Sequence, residues 1–111
     1  MSKQEGLGEF QELILLAIMV LGENAYGVSI QREIKEKAKR RVSRGALHSA
    51  LTRLHEKGLV TSKMGGAAAE RGGRRKRFYN LTQRGIKVLS VAKTSRYNFY
   101  QLIDKLELGG I

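Results

Sequence analysis

The residues with the clearest chemical signal are basic side chains gathered in the middle of the chain. Between Lys39 and Arg77 lie twelve of the 21 lysines and arginines, but only two acids, Glu56 and Glu70. This window therefore carries +10 of the net charge of +11. Such a concentration of positive charge is the footprint expected for a polyanionic partner. Guanidinium and ammonium groups bind phosphate oxygens, so the expected chemistry is phosphate binding.

The composition excludes several other classes of site. The chain has no cysteine, which excludes disulfides, thiolate metal sites and a cysteine nucleophile. It has two histidines, His48 and His55, with Glu56 as the acid near them, so we expect no metal, no cofactor and no enzyme activity. The apolar run 13–21 is shorter than the roughly 20 residues that span a bilayer. Without a secretion signal either, the sequence predicts a cytoplasmic protein that does not bind membranes.

A helix predicted between Val42 and Gly58 would position part of this charge. Ser43 is a good N-cap and Gly58 a good stop. At about 100° per residue, one side of the helix is aliphatic, with Ala46, Leu47, Ala50, Leu51 and Leu54. The other side is small, polar and cationic, with Arg44, Gly45, His48, Ser49, Thr52 and Arg53. A solvated face usually mixes acids and bases, so the lack of acids before Glu56 favours a helix that lies in a groove of DNA.

Individual residues on this face have competing interpretations. Arg44, Ser49 and Thr52 are candidates for reading base edges. For His48 we favour a phosphate contact over a merely exposed side chain, whereas His55 is expected to pack or face solvent.

Two earlier helices are predicted to support this one. The first, from about residue 8 to 21, is apolar on nearly all sides, which indicates packing on two sides, including against a second subunit. The second, from about residue 26 to 38, follows a turn with Asn24 as a plausible cap. Its mixed charges fit ordinary solvent exposure. The short connector 39–42 completes a helix-turn-helix.

Past Gly58 the pattern becomes extended. Residues 59–64 and 77–81 read as two strands around a glycine-rich basic loop, which predicts a β-hairpin wing. We expect Arg71, Arg74, Arg75 and Lys76 to contact phosphates or the minor groove. The alternative is a soluble linker that happens to be basic.

The last segment, from Thr82 to about Leu108, reads as one long helix capped by Thr82. It is too long for a compact domain of this size to cover, so its far half needs another surface. We expect that surface to be a second copy of the chain. The aromatic residues Tyr97, Phe99 and Tyr100 form either dimer core or an effector pocket between subunits. The predicted dimer interface consists of Phe10, Ile14, Leu89, Ala92, Phe99, Ile103 and Leu106.

These elements predict a mainly helical fold with a small β-hairpin. Residues 8–81 would form a winged helix-turn-helix DNA-binding domain, and residues 82–108 a C-terminal dimerisation helix. The candidate DNA-binding residues are Tyr26, Arg40, Arg41, Ser43, Arg44, Gly45, His48, Ser49, Thr52, Arg53, Lys63, Arg71, Arg74, Arg75 and Lys76.

Four stretches of the chain resemble the PadR-type transcriptional regulators, a winged helix-turn-helix family. They are L-L-A-I-M-V-L-G-E-N-A-Y-G, R-V-S-R-G-A-L-H-S-A-L-T-R-L-H-E-K-G-L-V, G-G-R-R-K-R-F-Y-N-L-T and T-Q-R-G. Together they fall within residues 8–90, and their order and spacing make the match specific. The single short C-terminal helix resembles the smaller of the family's two architectures.

The resemblance implies a homodimer that binds pseudo-palindromic operators and usually represses. It places two recognition helices in successive major grooves and the wings on flanking DNA. Family members often respond to small aromatic or lipophilic effectors. The family usually has a tyrosine that contacts the DNA backbone where this chain has His48, and histidine can still donate to a phosphate.

The sequence thus predicts a sequence-specific regulator of transcription that binds double-stranded DNA. The alternative is a nonspecific architectural protein, which would discriminate little between operator and random DNA. A small enzyme would need an acid, base or nucleophile constellation that the sequence lacks. An RNA-associated protein would more often show aromatic side chains free for base stacking.

Overall fold

The computed structural model describes residues 7–65 and 75–106. Its elements confirm the predicted mainly helical class with a two-stranded hairpin and a long last helix. In β1 both ends lie one residue later than predicted, and β2 begins one residue earlier. The elements are α1 (Glu9–Leu21), a 3₁₀ turn (Gly22–Asn24), α2 (Gly27–Ala38), α3 (Arg44–Glu56), β1 (Val60–Gly65), β2 (Lys76–Leu81) and α4 (Gln83–Lys105).

The core lies where α1, α2 and α3 meet the base of the hairpin. Ile14, Ile30 and Leu54 are completely buried. Each such aliphatic side chain stabilises the fold by about 1.5–3 kcal/mol. The remaining core residues are Leu15, Ala17, Ile18, Ala25, Ile34, Leu47, Ala50, Leu51, Leu59, Val60, Tyr79 and Leu89.

Burial within the single chain corrects two of the predicted dimer contacts. Ile14 is fully buried and Leu89 nearly so, which leaves them almost no surface for a second subunit. The sequence assigned them to the interface because the apolar stripes of α1 and α4 continue past the core. The apolar surface that α1 leaves free is Leu16, Met19 and Val20, which are 42%, 51% and 69% exposed.

The start of α2 differs from the prediction. Asn24 lies in the 3₁₀ turn, and Tyr26 takes the N-cap position, so the helix begins at Gly27. The Ser29 hydroxyl accepts a hydrogen bond from the Tyr26 N–H at 2.9 Å and donates one to the Asn24 carbonyl. A serine inside the helix, and not Asn24, therefore satisfies a backbone N–H at the start of α2.

The hairpin is attached to the helices along one edge. β1 and β2 are antiparallel, with Val60 opposite Leu81 and Gly65 opposite Lys76. On the other side of β2, Tyr26 forms an isolated bridge with Phe78, and the Tyr79 N–H donates to the Ala25 carbonyl at 2.9 Å. The turn before α2 thus acts as a short third strand and fixes the wing relative to the helix-turn-helix.

Thr82 connects the end of α3 to the start of α4. As predicted it caps α4, because its hydroxyl oxygen accepts from the Gly85 N–H at 3.0 Å. The same hydroxyl donates to the Gly58 carbonyl at 2.7 Å, and the Thr82 N–H donates to the Leu59 carbonyl at 3.0 Å. Gly85 packs directly against that Leu59 carbonyl. These contacts fix the direction in which α4 leaves the domain.

The distal half of α4 extends away from the core, which gives the molecule a longest dimension of 57 Å. Near the middle of α4, Arg96 binds the Glu12 carboxylate on α1 at 2.7 Å. Past it, Phe99, Leu102 and Leu106 are 67%, 55% and 68% exposed. We call residues 97–106 the overhang. The predicted end near Leu108 lies outside the described residues.

Candidate nucleic-acid interface

The helix α3 presents the side that the sequence predicted for DNA. Its first turn is held by Ser43, whose Oγ accepts from the Ala46 N–H at 3.0 Å. Ala46 was predicted on the buried side and is exposed, because it lies a quarter turn away from the centre of the buried stripe. The open face of α3 consists of Arg44, Gly45, His48, Ser49, Thr52 and Arg53, all exposed.

A concave pocket of about 330 Å³ lies where α3, the start of α2 and the wing meet. We call it the wing pocket. Arg44 and His48 reach it from α3, and Lys76 and Arg77 reach it from β2. Among the residues that the structure describes, no carboxylate lines it; the other lining residues are Tyr26, Gly27, Val28, Gln31, Leu47, Leu51 and Tyr79. Basic side chains from two elements therefore converge on one site with room for an anionic group.

Tyr26 forms the aromatic support of this pocket. The Lys76 ammonium lies 4.2 Å from the centre of the Tyr26 ring, close enough for a cation–π interaction. On its other side the ring meets Phe78 edge to face at 5.4 Å, and Gly65 lies against the Phe78 ring. Tyr26, a candidate DNA-binding residue, therefore lies in the wall of the pocket and packs against the wing.

Sequence reasoning missed Arg77 as a site residue. It was counted among the cations but assigned to the strand, whereas its guanidinium lies beside the pocket and donates to the Ser62 Oγ at 3.0 Å. Strand alternation was the available signal, because Tyr79, two residues later on the same side, also lines the pocket. Burial raises the pKa of the Tyr79 hydroxyl, so this residue adds no negative charge to the wing pocket.

Not every predicted DNA-binding residue lies on the open face of α3 or in the wing pocket. Arg40 turns toward α1, where it lies 3.7 Å from the Glu9 carboxylate and 5.2 Å from the centre of the Phe10 ring. Lys63 and Arg75 are exposed on the wing but do not line the pocket. Arg71 and Arg74 lie outside the described residues.

Across residues 7–65 and 75–106, no group of three histidines or carboxylates comes together that would hold a metal ion. Over the same residues, none of the helices combines the length and apolar composition required to cross a bilayer.

Comparison with known proteins identifies the family. The model of the transcriptional regulator PadR-like family matches residues 15–91, more than half of the chain. The chain belongs to the PadR-like family of transcriptional regulators. The match runs from α1 through the wing into the first part of α4, so the overhang of this PadR-like chain lies beyond it.

Solved structures share the whole architecture of this PadR-like chain. A PadR family transcription regulator from Clostridium difficile is 23% identical with a TM-score of 0.71, and the alignment covers 87% of this chain and 97% of that one. A PadR-like regulator from Bacillus cereus is 21% identical, with a TM-score of 0.73 and coverage of 94% and 96%. The matching chain in the complex structure of hsRosR-S1 is 30% identical in sequence, with a TM-score of 0.58. The alignment covers 87% of this chain and 77% of that one. No curated protein sequence matches the chain.

Proposed function

We propose that this PadR-like chain is a cytoplasmic transcriptional repressor that binds double-stranded DNA sequence-specifically as a homodimer. The observation that carries the proposal is the wing pocket beside the open face of α3. An α-helix fits the major groove of B-DNA, which is about 12 Å wide. The pocket adds the cations of Arg44, Lys76 and Arg77 at the edge of that helix. This arrangement suits a duplex, which offers base edges flanked by phosphates.

The residues divide between two kinds of contact. Ser49 and Thr52 are exposed near the middle of the open face and have short polar side chains suited to base edges. His48, Lys76 and Arg77 surround the pocket and suit phosphate oxygens, which position a protein without reading sequence. Arg44 lies in both groups, at the N-terminal turn that approaches the bases most closely.

The dimer is proposed from apolar surface that a single chain leaves exposed. A groove of about 560 Å³ runs between α1 and α4, lined by Leu16, Met19, Val20 and Ile86 among others. The overhang adds Phe99 and Leu102 at the end of the same helix. We propose that the overhang of a second copy covers this groove. Two-fold symmetry then brings two α3 helices to half-sites about 34 Å apart.

The same groove is the proposed site of an aromatic or lipophilic effector. Tyr97 and Tyr100 line it, whereas Phe99 lies on another side of α4 and is not part of its wall. The proposed effector pocket therefore contains two of the three predicted aromatic residues. Phe99 is assigned to the subunit interface instead.

Binding-site selection from random duplex DNA tests the proposal. We expect a two-fold symmetric motif that the protein binds at least about 1,000-fold more tightly than scrambled DNA at the same salt concentration. Comparable affinity for selected and scrambled DNA would instead identify the nonspecific architectural protein.

Replacing Ser49 with alanine is expected to change sequence preference rather than total affinity. The side chain is exposed on the open face, and losing a base contact costs about 1–3 kcal/mol at one base pair. Selection with wild type and Ser49→Ala in parallel measures this. Identical motifs would exclude Ser49 as a base-reading residue.

Replacing Lys76 with alanine is expected to weaken all duplexes equally. The slope of log K against log salt is negative, and losing one phosphate contact makes it less steep by about 0.9. Titrations on selected and random DNA at several salt concentrations measure the slope, with Lys87→Ala on the exposed side of α4 as the control. A sequence-selective loss would contradict a pure phosphate role.

A further inference from the structure

The charged side chains of α2 are of mixed sign and face solvent, as predicted, but two of its cations also border a groove. Lys37 binds Glu33 at 2.9 Å, so these two charges neutralise one another. Arg32 and Lys35 lie on a different side, where both are exposed and line a groove. Neither Glu33 nor Glu36 contributes to that groove. The charged residues of α2 that line the groove are therefore both cations, although the exposed Glu36 lies one turn after Arg32 on the adjacent side of the helix.

This groove has a volume of about 580 Å³ and lies between α2 and the start of α3. We call it the α2 groove. Arg32 and Lys35 form one wall, and Arg41 lies on the other with Val42 and Ser43. Its shape is fixed by a hydrogen bond at 2.7 Å from the Gln31 Nε2 to the Val42 carbonyl, which holds the connector against α2. The groove thus holds three cationic side chains on two walls that a hydrogen bond joins.

The α2 groove adjoins the wing pocket. Val28 and Gln31 line both of them, so only the width of these side chains separates the two. The wing pocket follows the side of α3 that carries Arg44 and His48, whereas the α2 groove borders its N-cap, Ser43. Two cationic depressions therefore lie beside one another around the end of the helix that is proposed to enter the major groove.

We propose that the α2 groove is a second backbone-binding site, in which Arg32, Lys35 and Arg41 hold a DNA phosphodiester bordering the major groove that α3 enters. This inference rests on the proposed function. It adds Arg32 and Lys35 to the candidate DNA-binding residues and places the already predicted Arg41 opposite them. Guanidinium groups bind two phosphate oxygens at once, and an ammonium adds a mobile point charge. Contacts at both sites would fix the angle and register of α3 on the duplex.

The double variant Arg32→Ala/Lys35→Ala tests the inference. Both side chains are exposed, so the variant is expected to unfold at the wild-type temperature. Loss of two phosphate contacts should make the negative slope of log K against log salt less steep by about 1.8. Affinity for selected and random DNA should fall by the same factor, and the selected motif should remain unchanged.

A matched control removes the same amount of charge elsewhere. Lys37→Ala/Lys87→Ala deletes two exposed lysines outside the α2 groove and should keep the wild-type slope. Phosphate-ethylation interference locates the contact: wild type should be blocked at phosphates bordering each half-site, and Arg32→Ala/Lys35→Ala should be insensitive at those positions.

The outcomes separate the two levels of the proposal. If wild type binds its motif but Arg32→Ala/Lys35→Ala has the same salt slope as the control Lys37→Ala/Lys87→Ala, the α2 groove is not a phosphate site. The proposed function then stands. A changed motif in Arg32→Ala/Lys35→Ala would also overturn the backbone assignment. If wild type binds no duplex DNA, the proposed function and this inference both fail.

Discussion

Replacing Gly85 with alanine is expected to lower the free energy of unfolding by about 2–3 kcal/mol. Alanine ordinarily stabilises a helix relative to glycine, so the expected sign runs against helix propensity. The reason is steric: the added methyl would overlap the Leu59 carbonyl, a backbone group that cannot rotate away. Accommodating the methyl would require α4 to move and would stretch the hydrogen bonds of Thr82 to Gly58 and Leu59.

Chemical and thermal denaturation of Gly85→Ala measures this effect. Gly45→Ala is the matched control, because Gly45 is also helical and an added methyl there meets open space. That variant should be neutral or more stable by up to about 1 kcal/mol. Equal stabilities for the two variants would show that the packing of α4 against Leu59 is not tight.

Replacing Phe99 with aspartate is expected to yield a folded monomer whose operator affinity is at least about 100-fold lower. Phe99 is 67% exposed in the single chain, so the fold does not depend on it. In the proposed dimer the carboxylate would be buried in an apolar interface without a partner, which is strongly unfavourable. Without the dimer, the avidity that comes from two linked half-sites is lost.

Light scattering and operator titrations measure the two parts of this result. Thr94→Asp is the control, because Thr94 is exposed five residues earlier and projects from roughly the opposite side of α4. It adds the same charge and should remain dimeric. A dimeric Phe99→Asp protein would move the interface away from the overhang.

The sequence predicted best where the structure depends on local rules. Ser43 and Thr82 cap α3 and α4 as expected, because an N-cap needs a short oxygen-bearing side chain at one backbone position. Four of the five residues on the predicted aliphatic side of α3 are buried for the same kind of reason, since the period of that side follows from helix geometry. The helix-turn-helix and wing could therefore be placed without knowledge of tertiary contacts.

The sequence predicted less where side chains meet across elements. The surroundings of Arg40 and Arg96 depend on α1, which lies far away in the chain and binds both through carboxylates. Arg32 and Lys35 looked like ordinary solvated charges until the fold placed them opposite Arg41. Charge counts along a window describe how much cation is present but not which side of the molecule carries it.

The third-strand contact at Ala25 and Tyr26 also affects how readily the exposed wing could aggregate with other molecules. Open strand edges recruit strands from other chains and lead to aggregation. Here β2 is paired on both sides near Phe78 and Tyr79, so the exposed edge in the described hairpin belongs to β1. That edge is six residues long and carries the exposed Lys63, and short, charged edges repel intruding strands. The wing can therefore remain exposed, and free to contact a partner, without pairing with strands of other molecules.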